Sequence, residues 1–350
     1  MMPVLDEAGL KKQLDQNDLQ NLYVLYGDEK YLVNRAAKRL IKKAAGTAFL
    51  EFNLNELTNQ TAVDRIAESA EALPLMSERK CTAVSDFNIE EKDKTELSKL
   101  EELISSIPES TTLVFHFPTL TGESMKTAKF KKFLKSAAKY GVVTEFGRRT
   151  PAELQKVLIK DAQKAGCVLS KQNAAKLVEY AGNDLKALLN ENAKLCAYAA
   201  GGEITSDMIE SMVSKSIETT VFILSNALLA GNYEKAYQHM DQLFQTKAEP
   251  IVIVAVLGSA YTDMYRVRAS VESGKGTKGP ASYGEYRGKE FRLSKAEKSA
   301  RGISEEGLRK SLSILLETDA LLKSSRISPR ILLDEMIAKL LLAAKGEKSP

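Results

Sequence analysis

The pattern of apolar residues changes near residue 147, and this change constrains the fold more than any other feature of the sequence. Before residue 147, short apolar runs of strand length alternate with segments of helical periodicity. The first run, Leu22–Tyr26, leads directly into a helical pattern from Glu29 to about Ala45. Strands that alternate with helices predict a largely parallel sheet covered by helices on both faces. After Gly147 the strand-like runs stop, and helical patterns separated by turns continue to Leu342.

The rest of the N-terminal part follows the same alternation. Its further predicted strands are Phe49–Leu54, Lys80–Val84, Thr112–Phe117 and Val142–Phe146. The predicted helices between them are Val63–Ala72, Lys92–Ile104 and Lys126–Ala138. We therefore predict one α/β domain over residues 1–147.

Two all-helical domains are predicted after it, residues 148–213 and residues 214–350. Pro151 suits the first turn of a helix, because the N–H that proline lacks would have no partner there. Asp184 or Asn183 can cap a helix that runs to about Tyr198. Longer amphipathic helices are predicted in the second of these domains, at Thr219–Ala230, Tyr233–Gln245, Pro250–Val271 and Ser304–Lys323, and from Ser328-Pro329 onward.

Composition and charge indicate a broad class of protein without identifying a partner. The 350 residues are 44% hydrophobic and 27% charged, which is ordinary for a globular protein. No apolar run approaches the roughly 18–20 residues that span a bilayer, and charged residues within Met1–Leu14 argue against a signal or transit peptide. Cys81, Cys167 and Cys196 are far apart, which predicts buried thiols in a reducing cytoplasm. The net charge of +4 permits contact with nucleic acid but does not predict it.

Residues for nucleophilic or metal-dependent catalysis are scarce. The chain has two histidines, His116 and His239, and neither joins a Ser/His/Asp or Cys/His set of recognisable spacing. His116 lies within an apolar run, where a strand histidine is favoured over a site residue. The cysteines contain no metal-ligand pair. We therefore predict no catalytic residue, no metal site and no cofactor.

The turn after the first strand is the place where a nucleotide-binding α/β domain holds phosphate. A P-loop needs a glycine-rich turn followed by Lys and by Ser or Thr, so that N–H groups and positive charge surround the phosphates. Here the segment Tyr26-Gly-Asp-Glu-Lys-Tyr-Leu32 has one glycine, and no Gly-Lys-Ser/Thr follows. Asp28 and Glu29 suit the positive end of the helix but would repel a triphosphate. The sequence therefore predicts a nucleotide-binding fold with a degenerate site.

The order of an α/β domain, a small helical domain and a helical C-terminal domain resembles the layout of clamp-loader subunits in the AAA+ superfamily. Within that superfamily, several stretches resemble the delta subunit of the bacterial DNA polymerase III clamp loader. They are Tyr26–Leu32, Leu73–Lys80, Val178–Leu185, Leu189–Leu195, Asn226–Gly231, Leu316–Lys323 and Ser328–Arg330. Each stretch alone is weakly specific, but their order and the missing P-loop together are specific, and the resemblance covers nearly the whole chain.

The resemblance implies a subunit that binds the sliding clamp, or beta subunit, and holds one interface of the ring open during loading onto primed DNA. It implies a non-hydrolysing scaffold within the DNA polymerase III holoenzyme, which is a nucleotidyltransferase complex. The C-terminal domain would bind the other loader subunits, delta prime and tau/gamma. Primer-template DNA would lie within the complex, in the cytoplasm and away from membranes.

In that family an apolar pair at the end of a helix contacts the clamp, and the pair maps onto Leu75 and Met76. Leu73 and Pro74 would contribute at the edge of the contact. The residues themselves are compatible with this role, because the helical pattern ends near Ala72 and Pro74 limits its continuation. Two large apolar side chains are then left at a turn with polar neighbours. The alternative is that both side chains fold back over the sheet.

A basic segment from Gly274 to Arg301 is the second candidate site. It carries eight Lys and Arg residues against three Glu residues, with aromatic residues between them. Such a segment can follow a DNA backbone or stack an unpaired base, although a solvated loop is its more common role. The candidate DNA contacts are Lys275, Lys278, Arg287, Lys289, Arg292, Lys295 and Lys298.

Three functions remain open from the sequence. The first is the clamp-loader scaffold. The second is an active AAA+ ATPase switch with a cryptic phosphate site, which nucleotide affinity would distinguish from the first. The third is a helical DNA-binding module, which steep salt dependence of DNA binding would favour.

Overall fold

A computed structural model describes residues 5–47, 49–276, 279–283, 286 and 291–345. The chain forms two compact units, Met1–Arg149 and Thr150–Pro350. All strands of the described residues lie in the first unit, and the second unit is built from helices with one isolated bridge between Val168 and Glu203. The predicted change from an α/β part to a helical part is therefore confirmed.

The first unit is built on a parallel sheet. Its strands are β1 (Leu22–Tyr26), β2 (Leu54–Leu57), β3 (Lys80–Ser85), β4 (Thr111–His116) and β5 (Val142–Glu145). Among the described residues they pair in the order β2-β3-β4-β1-β5, and every pairing is parallel. β2 is consequently an edge strand, whereas β1 lies between two neighbours.

Helices cover both faces of this sheet. They are α1 (Glu7–Gln16), α2 (Lys30–Ala45), α3 (Leu50–Asn53), α4 (Val63–Glu71), α5 (Lys94–Ser105) and α6 (Ala128–Tyr140), with a 3₁₀ turn at Ser124–Lys126. Successive side chains of a strand point to opposite faces. Leu22 and Val24 therefore join a core with α4, α5 and α6, whereas Tyr23 and Leu25 join another with α1 and α2. This confirms the AAA+-like expectation of a sheet covered on both faces.

The predicted strand at Phe49–Leu54 is wrong. Leu50–Asn53 form one helical turn, α3, and the strand begins only at Leu54. Leu50, Phe52 and Leu54 alternate with Glu51 and Asn53, a local pattern that favours a strand. Phe49, Leu50 and Phe52 are exposed here, whereas the polar residue Asn53 is buried. The polar contacts of Asn53, rather than apolar burial, therefore accompany the helical turn.

The second unit consists of helices joined by short turns. They are α7 (Pro151–Lys164), α8 (Lys171–Ala181), α9 (Leu185–Ala199), α10 (Ser206–Met212), α11 (Ile217–Leu229), α12 (Tyr233–Gln245), α13 (Pro250–Glu272), α14 (Phe291–Ala300), α15 (Glu305–Ser324) and α16 (Pro329–Ala344), with a 3₁₀ turn at Gly279–Tyr283. Thr150 and Glu153 form a capping box in front of α7, with Pro151 in its first turn. Asp184 caps α9 by accepting the N–H of Ala187. The predicted domain boundaries at 147 and 213 stay predictions.

The core of residues 217–341 is formed by α11 to α16 around Leu257, Tyr261 and Leu308. Helix α14 was not predicted, because its sequence belongs to a stretch rich in Gly, Ser and Lys. Leu293 and Ala296 nevertheless turn one face of α14 into this core. Tertiary packing thus forms a helix where the local composition indicates a loop.

The three cysteines are free thiols and are buried, as predicted. Within the described residues, no helix is both long enough and apolar enough to cross a membrane.

Candidate functional site

The predicted apolar contact lies in the loop between α4 and β3. Helix α4 ends at Glu71, and Ala72 adopts an extended conformation, so the chain leaves the helix where the sequence predicts. Because β3 begins at Lys80 directly after the loop, the loop lies at the amino edge of the parallel sheet. We call residues 73–76 the apolar turn.

The side chains of the apolar turn face solvent. Leu73 is 84% exposed, Leu75 is 43% exposed and Met76 is 79% exposed, whereas Pro74 is half-buried. Leu75 and Met76 therefore do not fold back over the sheet, which was the alternative arrangement. Exposed Glu71 and Glu78 flank the turn, so an apolar centre has a charged rim.

The backbone of the apolar turn is held by one buried side chain. The Leu75 N–H donates to Oδ1 of Asn53 at 2.8 Å, and Nδ2 of Asn53 donates to the Leu75 carbonyl oxygen at 2.9 Å. The next residue, Met76, has a φ of +47°, in the left-handed region that side chains other than glycine rarely adopt. The turn thus has a specific conformation that depends on contacts from outside it.

Arg79 holds the end of the loop that leads into β3. Its Nη1 donates to the carbonyl oxygens of Leu19 and Gln20 at 3.1 and 3.3 Å and to Oγ1 of Thr112 at 3.1 Å. The Ser77 hydroxyl donates to the Arg79 carbonyl oxygen at 2.9 Å. Sequence reasoning did not identify Asn53 or Arg79, because a polar residue that holds a loop has no local pattern.

Further exposed apolar side chains lie next to Asn53 in the chain. Phe49, Leu50 and Phe52 are each about half-exposed. The sequence predicted a strand over these residues. Leu50, Phe52 and Leu54 alternate with polar Glu51 and Asn53, which is the pattern of a half-buried strand, so no local signal opposed that assignment.

The turn after β1, where the sequence predicts a degenerate nucleotide site, lies at the carboxyl edge of the sheet. Gly27, which follows β1, has a φ of +143°, and a Cβ built there would lie 2.2 Å from the carbonyl oxygen of Phe146. The Glu29 N–H donates to that same oxygen at 2.9 Å, and the Phe146 N–H donates to the Tyr26 carbonyl oxygen at 2.8 Å. The chain after β5 therefore packs directly against Gly27 and the start of α2.

The side chains at this carboxyl edge are polar and partly buried. Burial lowers the pKa of Lys30, and the nearby carboxylates of Asp28 and Asp86 oppose that shift. Burial likewise lowers the pKa of His116, which ends β4 as the predicted strand histidine. In the part of the chain that the structure describes, no three His, Cys, Asp or Glu side chains are grouped to hold a metal ion.

The structure describes four of the seven candidate cations of the predicted basic segment. Lys275 and Lys298 are exposed, whereas Lys278, Arg287 and Lys289 lie outside the described residues. Arg292 forms an ion pair with buried Asp263 at 2.7 Å. The Nζ atom of Lys295 lies 4.9 Å from the centre of the Phe222 ring and 3.7 Å from a carboxylate oxygen of Glu179. Two of the seven candidate cations thus have partners within the second unit.

A buried carboxylate contacts two described residues of this segment, Tyr286 and Arg292. Asp263 of α13 accepts the Tyr286 hydroxyl at 2.6 Å and Nε of Arg292 at 2.9 Å. Nη1 of Arg266 donates to the Tyr286 hydroxyl oxygen at 3.0 Å. Burial, followed by the hydrogen bond to Asp263, raises the pKa of Tyr286. The network attaches α14 and Tyr286 to α13, which is a structural role.

Comparison with known proteins gives consistent matches over most of the chain. Residues 23–144 match the family model "DNA polymerase III, delta subunit", and residues 218–340 match "DNA polymerase III delta subunit, C-terminal domain". The chain is 27% identical over 338 residues to DNA polymerase III subunit delta of Bacillus subtilis, covering 94% of this chain and 95% of that protein. It is 22% identical over 264 residues to a probable DNA polymerase III subunit delta of Aquifex aeolicus, covering 73% of each. The solved structure of the Bacillus subtilis clamp loader delta protein has the same fold, with a TM-score of 0.61 and 24% identity over 95% of this chain and 98% of that one.

Proposed function

This chain belongs to the DNA polymerase III delta-subunit family, and on that premise we propose that it binds a sliding clamp through Leu73, Pro74, Leu75 and Met76. In this proposal it acts as a scaffold of the clamp loader that holds the ring open while primed DNA enters. It hydrolyses no ATP itself. Its expected location is the cytoplasm.

The exposure of the apolar turn is the observation that carries the proposal. Burial of one leucine or methionine side chain is worth about 1.5–3 kcal/mol, so large apolar side chains in water favour association with a partner. Leu75 and Met76 together would insert into a pocket of the clamp as the centre of the contact. Methionine adapts to the shape of a pocket, which suits Met76 where the family often has an aromatic residue.

The position of the turn supports a mechanical role. It lies at the amino edge of the sheet, where Asn53 holds it at Leu75 and Arg79 holds the loop that follows it. A rigid anchor can favour the open form of a ring if the anchor binds that form more tightly than the closed form. The open ring would then persist as long as the anchor stays bound.

The carboxyl edge supports the absence of ATP hydrolysis. The Glu29 N–H at the start of α2 already donates to Phe146, and Gly27 packs against the same residue. Triphosphate binding would require Phe146 to move away from Gly27. It would also place negatively charged phosphates beside the carboxylate of Asp28. The ATPase alternative is therefore disfavoured by packing as well as by sequence.

The remaining partners are proposed from the family. The C-terminal domain predicted at residues 214–350 would bind delta prime and tau/gamma, and primer-template DNA would lie within the assembled loader. The exposed lysines Lys275 and Lys298 are available for DNA, whereas Arg292 is paired with Asp263. The DNA-binding module alternative therefore has fewer free cations than the sequence suggests.

A binding measurement with the cognate sliding clamp tests the proposal. The wild-type chain, without ATP, is titrated against immobilised clamp beside a Leu75→Ala/Met76→Ala double variant. We expect the double variant to keep its circular dichroism spectrum and to lose about 100-fold in affinity, because it lacks the two side chains that the clamp would bury. Leu316→Ala is the matched control, since Leu316 is also exposed but lies on α15 of the second unit.

Each outcome of this titration has a separate meaning. Failure of the wild-type chain to bind would contradict the proposed function. Equal binding by the double variant would contradict the choice of anchor but not the scaffold role. An affinity loss in Leu316→Ala as large as that in the double variant would show that the effect is not specific to the turn.

A further inference from the structure

Asn53 is a polar residue in an unusual place. It is fully buried, it ends the short helix α3, and it lies one residue before edge strand β2. Burial of an amide is unfavourable unless its hydrogen-bonding groups are satisfied. The hydrogen bonds of the Asn53 amide therefore indicate its role.

Those contacts go to the apolar turn. The amide oxygen of Asn53 accepts the Leu75 N–H at 2.8 Å, and the amide nitrogen donates to the Leu75 carbonyl oxygen at 2.9 Å. An asparagine amide has one acceptor and one donor side by side, so it matches both main-chain groups of a residue at once. The two hydrogen bonds fix the backbone of Leu75 in the same way as a paired residue of a neighbouring strand would.

This contact has a consequence for the residue that follows. Met76 adopts a φ of +47° and is 79% exposed. A left-handed conformation in a methionine persists only where its surroundings hold it. On the β3 side the loop is held by Arg79, but Asn53 holds it at Leu75 itself, immediately before Met76.

We propose that Asn53 is the positioning residue of the clamp-binding turn, an inference that rests on the proposed function. Asn53 does not touch the clamp in this proposal. It keeps Leu75 and Met76 in the conformation in which they insert, so that the clamp does not have to order the turn on binding. Preformed binding segments gain affinity because this ordering cost is absent.

The experiment measures clamp affinity and amide exchange in wild type, Asn53→Ala and Asn53→Asp. Asn53→Asp keeps the shape and the acceptor but loses the donor to the Leu75 carbonyl oxygen. We expect affinity to fall about tenfold in Asn53→Ala, the scale of one or two lost hydrogen bonds. Amide hydrogens of residues 75–79 should exchange faster in both variants of the free chain. Asn55→Ala, two residues along on β2, is the matched control and should behave as wild type.

A double-mutant cycle distinguishes positioning from a general loss of stability. In a Met76→Ala background, Asn53→Ala should cost less than about threefold, because part of what it positions is already absent. The same factor in both backgrounds would overturn the proposal, as would wild-type affinity in Asn53→Ala. Unchanged amide exchange at residues 75–79 would also overturn it.

The outcome separates this inference from the proposed function. If the wild-type chain does not bind the clamp, the proposed function fails and the inference fails with it. If the wild-type chain binds and Leu75→Ala/Met76→Ala does not, while Asn53→Ala binds normally, only the inference fails. Unfolding curves of each variant show whether any loss comes from a disrupted first unit.

Discussion

The N–H of Glu29 donates to the carbonyl oxygen of Phe146 across 2.9 Å, which ties the start of α2 to the chain that leaves β5. This contact requires that nothing larger than hydrogen project from Gly27 between the two segments. A Cβ on Gly27 would lie 2.2 Å from the same carbonyl oxygen. The backbone of Phe146 thus packs directly against the turn that follows β1.

Gly27→Ala should therefore destabilise the first unit. The substitution adds a clash with Phe146 and places an alanine at a φ of +143°, so we expect a loss of at least about 2 kcal/mol in the free energy of unfolding. Urea denaturation followed by circular dichroism measures it. Gly147→Ala is the control, because a Cβ there meets nothing within 4 Å and that variant should stay near wild type. Equal stability of the two variants would contradict the close packing of Gly27.

The Asp263–Arg292 ion pair should contribute more to the free energy of unfolding than a surface pair in the same segment. Asp263 is buried, so Arg292→Ala leaves its carboxylate with one charged partner fewer, and we expect a loss of about 2–4 kcal/mol in unfolding free energy. Arg301→Ala removes an exposed pair with Glu297 and should cost less than about 0.5 kcal/mol. Guanidinium unfolding of both variants makes the comparison. A loss of equal size in both would show that Asp263 does not depend on Arg292.

The thiols should be unreactive in the folded chain. Burial raises the pKa of Cys81 to about 12 and that of Cys196 to about 11. At pH 8 only about one such thiol in a thousand, or fewer, is then the reactive thiolate. A thiol reagent at pH 8 should label Cys81 and Cys196 slowly in the native chain and quickly in denaturant. Fast native labelling at Cys81, located by peptide mapping, would contradict its burial.

Exposed lysines of the basic segment should carry any electrostatic contact with DNA. We expect Lys275→Ala/Lys298→Ala to reduce the slope of log affinity against log salt by about 2 for primer-template DNA, because each phosphate contact contributes about 0.9. Lys12→Ala/Lys42→Ala in the first unit is the control, since both lysines are exposed there. Fluorescence anisotropy of labelled DNA at several salt concentrations measures the slopes. Equal slopes in the two double variants would exclude a specific contribution of Lys275 and Lys298.

Much of the fold followed from patterns that are local in the chain. The apolar run Leu22–Tyr26 predicted β1 with its observed bounds, and Pro151 predicted the first turn of α7. The missing P-loop residues after Tyr26 were equally visible, because a phosphate site of this kind is a contiguous motif. The end of α4 near Ala72 followed from Pro74. Local rules were sufficient wherever one short segment determines its own conformation.

Helices α3 and α14 were beyond those rules. The alternating apolar and polar residues at Phe49–Leu54 fit a strand, yet Asn53 reaches Leu75, twenty-two positions away, and the chain turns as a helix. The segment around Arg292 has the composition of a loop, but buried Asp263 holds its charge and α14 packs on the core. In both places the decisive partner is distant in the sequence.

The sequence by itself determined that this chain has a parallel α/β sheet followed by helices, belongs to the delta-subunit family and has no P-loop. Only the tertiary structure decided that Leu75 and Met76 face solvent, that Phe146 covers the position beside Gly27, and that Asn53 holds the apolar turn. The physical reason is that propensity and periodicity act between near neighbours, whereas exposure and hydrogen-bond pairing depend on which distant segments meet.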